Sequence, residues 1–381
     1  MKVLQVIPRL GFGGAEAGCY DLAHYLSEND CKSYIVTSGG ELIKYIRKDK
    51  VKLFKLPVHS KNPILILINF ILITLIILIY NIKIVHARSR APAWSCLWAT
   101  KLTRRKFVTT FHGTYNYKSS LKKFYNSVMV RSDLIIAGSN FIFSHICKNY
   151  EKFLEPKKRK LLVIFRGINT DFFSQKKVSE NKLNQFIQEW KIDISKFIIL
   201  LPGRLTFWKG QELFIESMNI LNQQTDIKPF YGIILGDGQG RKVYYKKLLS
   251  LVQKYRLNTK IKFISSCKEM PVAYKISNMV VSASIEPEAF GRVSVEAQSM
   301  EKPIVASDIG GSKETIVKDK SGLFFKSEDP ISLAEKIKEI MNYQDNTLQS
   351  MGIEGRKNVI KKFDVEKMCN STFVEYKKLI K

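Results

Sequence analysis

The 381 residues exceed what one ordinary hydrophobic core holds, so the chain is predicted to form two domains. Hydrophobic residues make up 45% and charged residues 25%, which excludes a disordered chain. The formal charge is +28, with about +19 of it in residues 1–180. This excess favours nucleic acid, anionic lipid or phosphorylated partners, unless the Lys-rich composition only reflects the host's codon usage.

The cysteines predict reduced thiols in a cytosolic protein. The six cysteines are scattered, none forms a CxxC pair, and no His or Cys lies at zinc-ligand spacing, so no metal site is expected. Residues 1–7 are apolar but run directly into Pro8 and a glycine loop, so no cleavable signal peptide is expected.

Short β-branched runs alternate with helical stretches in the first half of the chain, which is typical of parallel βαβ units. The first run leads into the glycine loop 11–14 and a helix from about Ala15. The strand candidates are Val3–Ile7, Ser33–Thr37, Lys52–Leu56, Ile82–Ala87, Phe107–Phe111, Leu134–Ala137 and Leu161–Ile164.

Residues 62–82 carry no charge. Within Ile64–Ile79 only Asn69 and Thr74 are polar, and they lie ~140° apart on a helix, so the helix has no polar face. The length permits a membrane span, as in an integral membrane protein. The strands on either side must pair in one sheet, however. We therefore expect a helix that packs on the sheet and whose outer face meets lipid or a partner; the alternative is a wholly buried helix.

A second alternating series begins near Phe197, after a polar stretch, 171–196, that is interpreted as a linker with a short helix. Its strand candidates are Phe197–Leu201, Gly232–Leu235, Ile261–Ile264, Met279–Ser282, Pro303–Ala306 and Gly322–Phe325. The tail 345–381 has an amphipathic helical pattern. The predicted fold class is α/β, with two Rossmann-like, doubly wound domains that meet near residues 170–195. Ligands of such sheets lie beyond the carboxyl ends of the strands, so we expect a central cleft between the domains.

The segment Pro202–Gly210 lies between a predicted strand and a predicted helix and carries Arg204 and Lys209. A helix N-terminus binds anions, and two cations five residues apart can clamp a diphosphate. The alternative is a pair of solvated charges that flank a turn.

The segment Glu288–Glu296 places two carboxylates eight residues apart around a glycine at a helix start. Carboxylates accept hydrogen bonds from vicinal hydroxyls, which ribose and hexose present. Gly291 lets the backbone approach a phosphate closely. If this motif stood alone, ordinary surface carboxylates would be the better interpretation.

Weaker signals lie at three further strand ends. Gly13 and Gly14 could bring backbone N–H groups to an anion. His112 could reach a sugar hydroxyl or the reacting centre, although a lone His is more often structural. The turn with Gly236 and Gly238 resembles a dinucleotide fingerprint but lacks the acidic residue about twenty positions later, so it is interpreted as a glycine turn beside a nucleotide.

Together these motifs resemble the large retaining glycosyltransferase family 4, which has the two-domain GT-B fold, over nearly the whole chain. The most specific element is Glu288–Glu296, followed by Gly203–Gly210. Further landmarks are Val85-His86-Ala87, Arg166-Gly167-Ile168-Asn169 with Asp171-Phe172-Phe173, and Ile309-Gly310-Gly311 with Glu314. Arg166 stands where the family commonly has Asn, and Ala289 where it commonly has Gly.

The resemblance implies a role for each motif. Arg204 and Lys209 would bind the donor diphosphate, Glu288 the hydroxyls of the donor sugar, and Glu296 the ribose. His112 would lie beside the donor sugar. The other residues implied at the nucleotide-sugar site are Gly13, Gly14, Gly236, Gly238, Phe290 and Gly291.

The resemblance also implies the domain limits and the reaction. Residues 1–170 would form the acceptor-side domain, onto which helix 364–381 packs back, and residues 171–363 the nucleotide-sugar domain. A hexose-type sugar would pass with retention from a nucleotide-diphosphate sugar, without a cofactor. The chain has no Asp-x-Asp, so Arg204, Lys209 and helix dipoles would replace a metal.

The segment Ala87–Trp94 joins two cations to an aromatic residue and is similar to segments of envelope-polysaccharide and lipopolysaccharide glycosyltransferases. It suits a glycolipid or polysaccharide acceptor, and the charge suits a peripheral position on the cytoplasmic face of an anionic membrane. Two other classes stay open. One is a basic nucleic-acid-binding protein, although no RRM, KH, zinc or helix-turn-helix signature occurs. The other is a sister GT-B enzyme such as a phosphorylase or epimerase.

Overall fold

The computed structural model describes residues 1–115, 119–154 and 160–381. The chain divides into two compact units. The first is Met1–Gly167 together with Val365–Lys381, and the second is Ile168–Asp364. The predicted domain limit was residue 170.

The first unit is built around a seven-stranded sheet. Its strands are β1 (Lys2–Val6), β2 (Lys32–Thr37), β3 (Val51–Lys55), β4 (Ile84–Ala87), β5 (Lys106–Phe111), β6 (Leu134–Ala137) and β7 (Lys160–Val163). All pairs are parallel, in the order β3-β2-β1-β4-β5-β6-β7. Its helices are α1 (Gly14–Glu28), α2 (Pro63–Tyr80), α3 (Arg90–Thr103), α4 (Ser120–Asn126), α5 (Asn140–Tyr150) and the C-terminal helix (Val365–Ile380).

The second unit is built around a six-stranded parallel sheet. Its strands are β8 (Phe197–Pro202), β9 (Phe230–Leu235), β10 (Ile261–Ile264), β11 (Met279–Ser282), β12 (Ile304–Ser307) and β13 (Gly322–Phe325), in the order β10-β9-β8-β11-β12-β13. Its helices are α6 (Glu180–Glu189), α7 (Gln211–Asn222), α8 (Lys242–Lys254), α9 (Met270–Ile276), α10 (Arg292–Ser299), α11 (Ser312–Thr315), α12 (Pro330–Met341) and α13 (Asp345–Lys362).

The strands are nearly continuous apolar runs because helices cover both faces of each sheet. In β6 all four residues are buried. In each sheet the strand order reverses once, between β1 and β4 and between β8 and β11. Ligands of open parallel sheets bind beyond the strand ends at such a reversal. A ligand site is therefore expected at the loops after these four strands.

The C-terminal helix completes the core of the first unit. Its Phe373 and Tyr376 are buried in one cluster with Leu22 and Leu26 of α1. The Tyr25 hydroxyl donates a hydrogen bond to Asn370 Oδ1 at 3.2 Å. The last 17 residues of the chain thus belong to the first unit.

Helix α2 begins with Asn62, whose side chain accepts a hydrogen bond from the Ile64 N–H at 2.9 Å, and with Pro63 in its first turn. It ends at Asn81 in the left-handed conformation, φ 50°. The Ile82 N–H still bonds the Ile77 carbonyl at 3.0 Å as part of this helix cap, so β4 starts at Ile84 rather than at Ile82 as predicted.

Among the described residues, α2 is the one helix long and apolar enough to cross a membrane. Only 28% of it is buried, so the alternative of a wholly buried helix is wrong. The seven exposed apolar side chains, called the α2 stripe below, are Ile64, Leu67, Ile68, Ile71, Leu75, Leu78 and Ile79.

Candidate functional site

The loop after β8 carries Arg204 and Lys209, and its backbone contacts the loop after β11. Gly210, at the start of α7, has φ +71°, and a Cβ there would lie 1.8 Å from the Ala283 carbonyl oxygen. Only glycine fits this contact. The Ile285 N–H also donates to the Trp208 carbonyl at 2.9 Å. The two loops that flank the strand reversal in the second sheet are therefore held together by backbone contacts.

Lys209 and Glu288 form an ion pair between these loops. The Lys209 ammonium lies 2.7 Å from Glu288 Oε1, and the two side chains are only 13% and 11% exposed. The Ser284 hydroxyl donates to the same oxygen at 2.5 Å. Burial raises the pKa of Glu288, but Lys209, the Ser284 hydrogen bond and the Arg204 charge outweigh it, and the pKa is lowered overall. The carboxylate is therefore ionised at neutral pH.

Arg204 is exposed, and a hydrogen bond from a neighbouring side chain holds its backbone. Gln211 Nε2 donates to the Arg204 carbonyl at 2.9 Å, and the Tyr244 hydroxyl donates to Gln211 Oε1 at 3.2 Å. The Trp208 ring centroid is 5.8 Å from the Arg204 guanidinium and 4.6 Å from the Lys209 ammonium. Two cations thus flank one aromatic ring at a strand end, which is an arrangement that can bind an anion.

The glycine turn after β9 lies directly against the loop after β8. A Cβ on Gly236 would be 1.8 Å from the Gly203 carbonyl oxygen. The Leu205 N–H donates to the Asp237 carbonyl at 3.1 Å. A Cβ on Gly238 would have no neighbouring atom closer than 4.0 Å, so this side of the turn is open. The structure therefore brings the predicted Gly236 and Gly238 beside Arg204.

The start of α10 is supported by the Gly310-Gly311 turn. Gly291 caps the helix with φ +87°, and the Gly311 N–H donates to the Glu288 carbonyl at 2.7 Å. The Phe290 side chain is buried, with its ring 5.5 Å from that of Phe363. The Phe290 side chain thus packs in the core, and only its backbone remains available to a ligand.

Glu296 lies in a buried network rather than at an open loop. It is 7% exposed. The Tyr274 hydroxyl donates to Oε2 at 2.8 Å, and Arg292 Nε donates to Oε1 at 2.5 Å. Both carboxylate oxygens therefore already have a donor, and any hydroxyl ligand would share them.

In the first unit, Gly13 caps α1 and Gly14 is its first residue. A Cβ on Gly14 would lie 2.9 Å from Arg166 Nη2. The Arg166 guanidinium therefore lies at the N-terminus of α1, where the helix dipole already favours an anion.

His112 lies after β5 beside a small cavity. The cavity is lined by His86, Arg88, Thr110 and Arg166, among others. The cavity measures about 20 Å³, which is room for one water molecule. Both ring nitrogens of His112 are buried without a hydrogen-bond partner among the described residues. Burial, followed by the charges of Arg166 and Arg88, holds the pKa of His112 well below its usual value, so the ring is neutral.

A buried polar chain lies next to this cavity. His86 Nδ1 is 2.5 Å from the Tyr376 hydroxyl, and its Nε2 is 2.8 Å from the Thr110 hydroxyl. Arg88 donates to Gln5 Oε1 at 2.8 Å and is 5% exposed. No local pattern indicated Tyr376 or Gln5, because their positions depend on pairing between distant segments.

Within the described part of the chain, no three His, Cys, Asp or Glu side chains come together as metal ligands. The sequence analysis also overlooked Ser284 and Trp208. Trp208 lies within the segment Pro202–Gly210, directly before Lys209, and Ser284 lies just outside the second segment, four residues before Glu288.

Two family models match the chain. Residues 12–172 match the model described as glycosyltransferase family 4, and residues 182–358 match that of glycosyl transferases group 1. Together the matches include every predicted site residue.

The chain is also similar to solved and curated proteins. A glycosyltransferase from Rickettsia africae ESF-5 is 36% identical, has a TM-score of 0.90, and is matched over 100% of this chain and 98% of that chain. HepE of Anabaena, solved in complex with UDP and glucose, is 20% identical with a TM-score of 0.83 over 99% and 100%. The capsular polysaccharide biosynthesis glycosyltransferase CapM of Staphylococcus aureus is 26% identical over 58% of this chain and 57% of its own length. The predicted fold class is confirmed.

Proposed function

Because the chain belongs to glycosyltransferase family 4 and has the GT-B fold, we propose that it moves a hexose-type sugar from a nucleotide-diphosphate sugar to a lipid-linked or envelope glycan acceptor. The observation that carries this proposal is the Lys209–Glu288 pair beside Arg204. At the strand reversal of the second sheet it places two cations, which suit a diphosphate, beside an ionised carboxylate, which suits the hydroxyl groups of a sugar.

The cations serve the diphosphate. Arg204 and Lys209 bind its oxygens through charge-assisted hydrogen bonds and offset the charge that develops as it leaves. Gly236 and Gly238 keep the neighbouring turn free of side chains, so the nucleotide can lie close to the backbone. The Anabaena relative binds UDP, which makes a uridine donor the first choice.

Two carboxylates and a neutral histidine ring hold the hydroxyl groups of the donor substrate. Glu288 accepts from the sugar hydroxyls and Glu296 from the ribose. His112, neutral and with both nitrogens unpartnered among the described residues, exchanges a hydrogen bond with the sugar. Gly13 and Gly14 bring the N-terminus of α1 toward phosphate or sugar.

The proposed reaction is a retaining displacement without a metal. The bond from the anomeric carbon to the diphosphate oxygen breaks, and the acceptor oxygen bonds to that carbon on the same face. The acceptor proton passes to the leaving phosphate. Arg204 and Lys209 supply the charge stabilisation that a metal ion otherwise gives.

The proposed location is the cytoplasmic face of an anionic membrane, as a peripheral protein. The α2 stripe supplies an exposed apolar surface. Strands β3 and β4, on either side of α2, belong to one sheet, so a crossing helix would separate strands that share a sheet. The capsule enzyme CapM supports an envelope glycan as the acceptor class.

Thermal unfolding with and without nucleotide tests the donor site. UDP at a hundred times its dissociation constant should stabilise the protein by about 2.7 kcal/mol and raise its melting temperature. Lys209→Ala should remove that shift. Lys247→Ala, which removes an exposed cation on α8, should keep it. An equal shift in all three proteins, or none with any nucleoside diphosphate, would refute the donor site.

A further inference from the structure

The segment that contains α2, α3 and α4 has no carboxylate. No Asp or Glu occurs between Asp49 and Asp133, although Lys and Arg recur on both sides of the uncharged residues 62–82. In most surfaces opposite charges alternate, and their fields cancel. This part of the first unit therefore presents an unbalanced positive potential, which attracts anions.

The α2 stripe lies within this segment. At 100° per residue its seven members fall within about 60° of Ile64 on either side, and they extend along the helix for about 22 Å. The opposite face of α2 packs on α3, and Trp98 of α3 is itself 40% exposed with its ring 6.2 Å from that of Phe70. The exposed apolar surface is thus long, narrow and continuous.

A pocket of about 480 Å³ lies where the stripe begins. It is lined by Lys61, Arg90, Leu121, Lys122, Tyr125 and Asn126. Three of these side chains are cations, none is a carboxylate, and Leu121 is 83% exposed. Lys61 stands two residues before Pro63, the first residue of α2. The cationic pocket and the apolar stripe therefore adjoin.

Hydrogen bonds and a ring contact hold the lining residues of the pocket in place. Arg90 Nη1 donates to Asn126 Oδ1 at 3.2 Å, and its guanidinium lies 4.2 Å from the Tyr115 ring centroid. Trp94 Nε1 donates to the Tyr125 carbonyl at 3.1 Å, which ties α4 to α3. The Tyr125 hydroxyl is buried and has no hydrogen-bond partner among the described residues. Arg90 is therefore held in place in the lining of the pocket.

We propose that this pocket binds the phosphate group of a lipid-linked acceptor and that the lipid's hydrocarbon chain lies along the α2 stripe. The proposal rests on the proposed function, and it names the acceptor class as a phosphate-bearing amphiphile. Cations pair with the phosphate, and the stripe buries the chain at a gain of about 25 cal/mol per Å². A soluble sugar phosphate would leave the stripe uncovered, and a neutral lipid would bring no anion to the three cations of the pocket.

Binding of dodecyl phosphate below its micelle concentration tests the proposal. The readout is the calorimetric binding isotherm, checked by intrinsic tryptophan fluorescence, to which Trp94 and Trp98 contribute together with Trp190 and Trp208. We expect wild-type protein to bind dodecyl phosphate at least roughly tenfold more tightly than inorganic phosphate or dodecyl maltoside. The double variant K61Q/K122Q should lose roughly tenfold or more in affinity for dodecyl phosphate only.

Matched variants make the result specific. K83Q/K101Q removes the same number of exposed cations outside the pocket and should keep wild-type affinity. Leu67→Ser, in the stripe, should weaken dodecyl phosphate binding, and Val243→Ser, an exposed apolar position in the second unit, should not. Equal losses in the two lysine pairs would mean a non-specific charge effect and would overturn the proposal. Equal affinity for inorganic phosphate would overturn it as well.

The UDP-induced shift in melting temperature separates this proposal from the donor site. If K61Q/K122Q keeps that shift and binds dodecyl phosphate as wild type does, the lipid site is wrong and the donor site stands. If wild type binds dodecyl phosphate as expected but shows no shift with any nucleotide, the lipid site stands and the donor proposal is wrong.

Discussion

At the residue scale, the account depends most on Arg204 and Lys209, because they are proposed to offset the charge of the leaving diphosphate. Removal of a charge-assisted contact in such a site typically costs about 2–4 kcal/mol. Arg204→Ala and Lys209→Ala should therefore lower the transfer rate roughly 10²-fold, measured as nucleoside diphosphate released. Lys247→Ala is the control. A folded Arg204→Ala protein that transfers sugar at the normal rate would show that Arg204 does not serve the diphosphate.

The buried ring nitrogens of His86 and His112 should make stability depend on pH. Burial, then the Arg88 charge, holds the pKa of His86 well below its usual value, and burial does the same for His112. The unfolded chain takes up protons below pH ~6.5 while the folded chain does not, so the free energy of unfolding falls as the pH drops. The limiting slope is about 1.4 kcal/mol per pH unit for each histidine.

Urea unfolding between pH 7.5 and 5 measures this slope. His86→Gln should flatten it, since glutamine does not titrate. A slope in His86→Gln equal to that of wild type would mean that His86 does not stay neutral in the fold.

At the element scale, the loop contacts of the second sheet depend on glycine. Gly210→Ala combines a left-handed φ of +71° with a Cβ 1.8 Å from a backbone oxygen, so the variant should lose about 3 kcal/mol or more of stability. Gly240→Ala shares the left-handed backbone, φ +81°, but meets nothing within 4 Å, and it should lose only about 1 kcal/mol. Denaturant midpoints of the two variants compare them directly; equal losses would show that the contact between the loops is not needed.

The α2 stripe predicts how the native protein fractionates. High salt with alkaline carbonate should release it from membranes, because a peripheral helix is held by headgroup charge and a shallow apolar contact. Release by detergent alone would mean that α2 spans the bilayer. Full solubility at low salt would mean that the stripe does not meet lipid.

Some features of these elements could be predicted from the local sequence, and others could not. The β-branched runs and glycine loops predicted both sheets, because strand burial and turn conformation are local properties. The motifs likewise pointed to Arg204, Lys209 and Glu288. The partners Ser284, Tyr274 and Arg292 were not assigned, because hydrogen bonds between separate segments leave no local pattern. The start of β4 was predicted two residues too early, because the helix cap at Asn81 continues into Ile82, an apolar residue that resembles a strand start.

At the scale of the whole molecule, the proposed chemistry needs no divalent cation. Excess chelator should leave the transfer rate largely unchanged, because Arg204 and Lys209 supply the positive charge. Activity that chelator abolishes and manganese or magnesium restores would overturn the metal-free mechanism. The same preparation treated with magnesium alone is the control for effects of the ion on the substrate.

The most direct test of the central proposal is transfer itself, with a panel of nucleotide sugars, a lipid extract as acceptor, and mass detection of the product. We expect a product heavier than the acceptor by one hexose residue and a matching amount of nucleoside diphosphate, with a uridine donor preferred. Lys209→Ala should form roughly 10²-fold less of both. If the folded wild-type protein forms no glycosylated product and releases no nucleotide with any donor, the proposed function is contradicted.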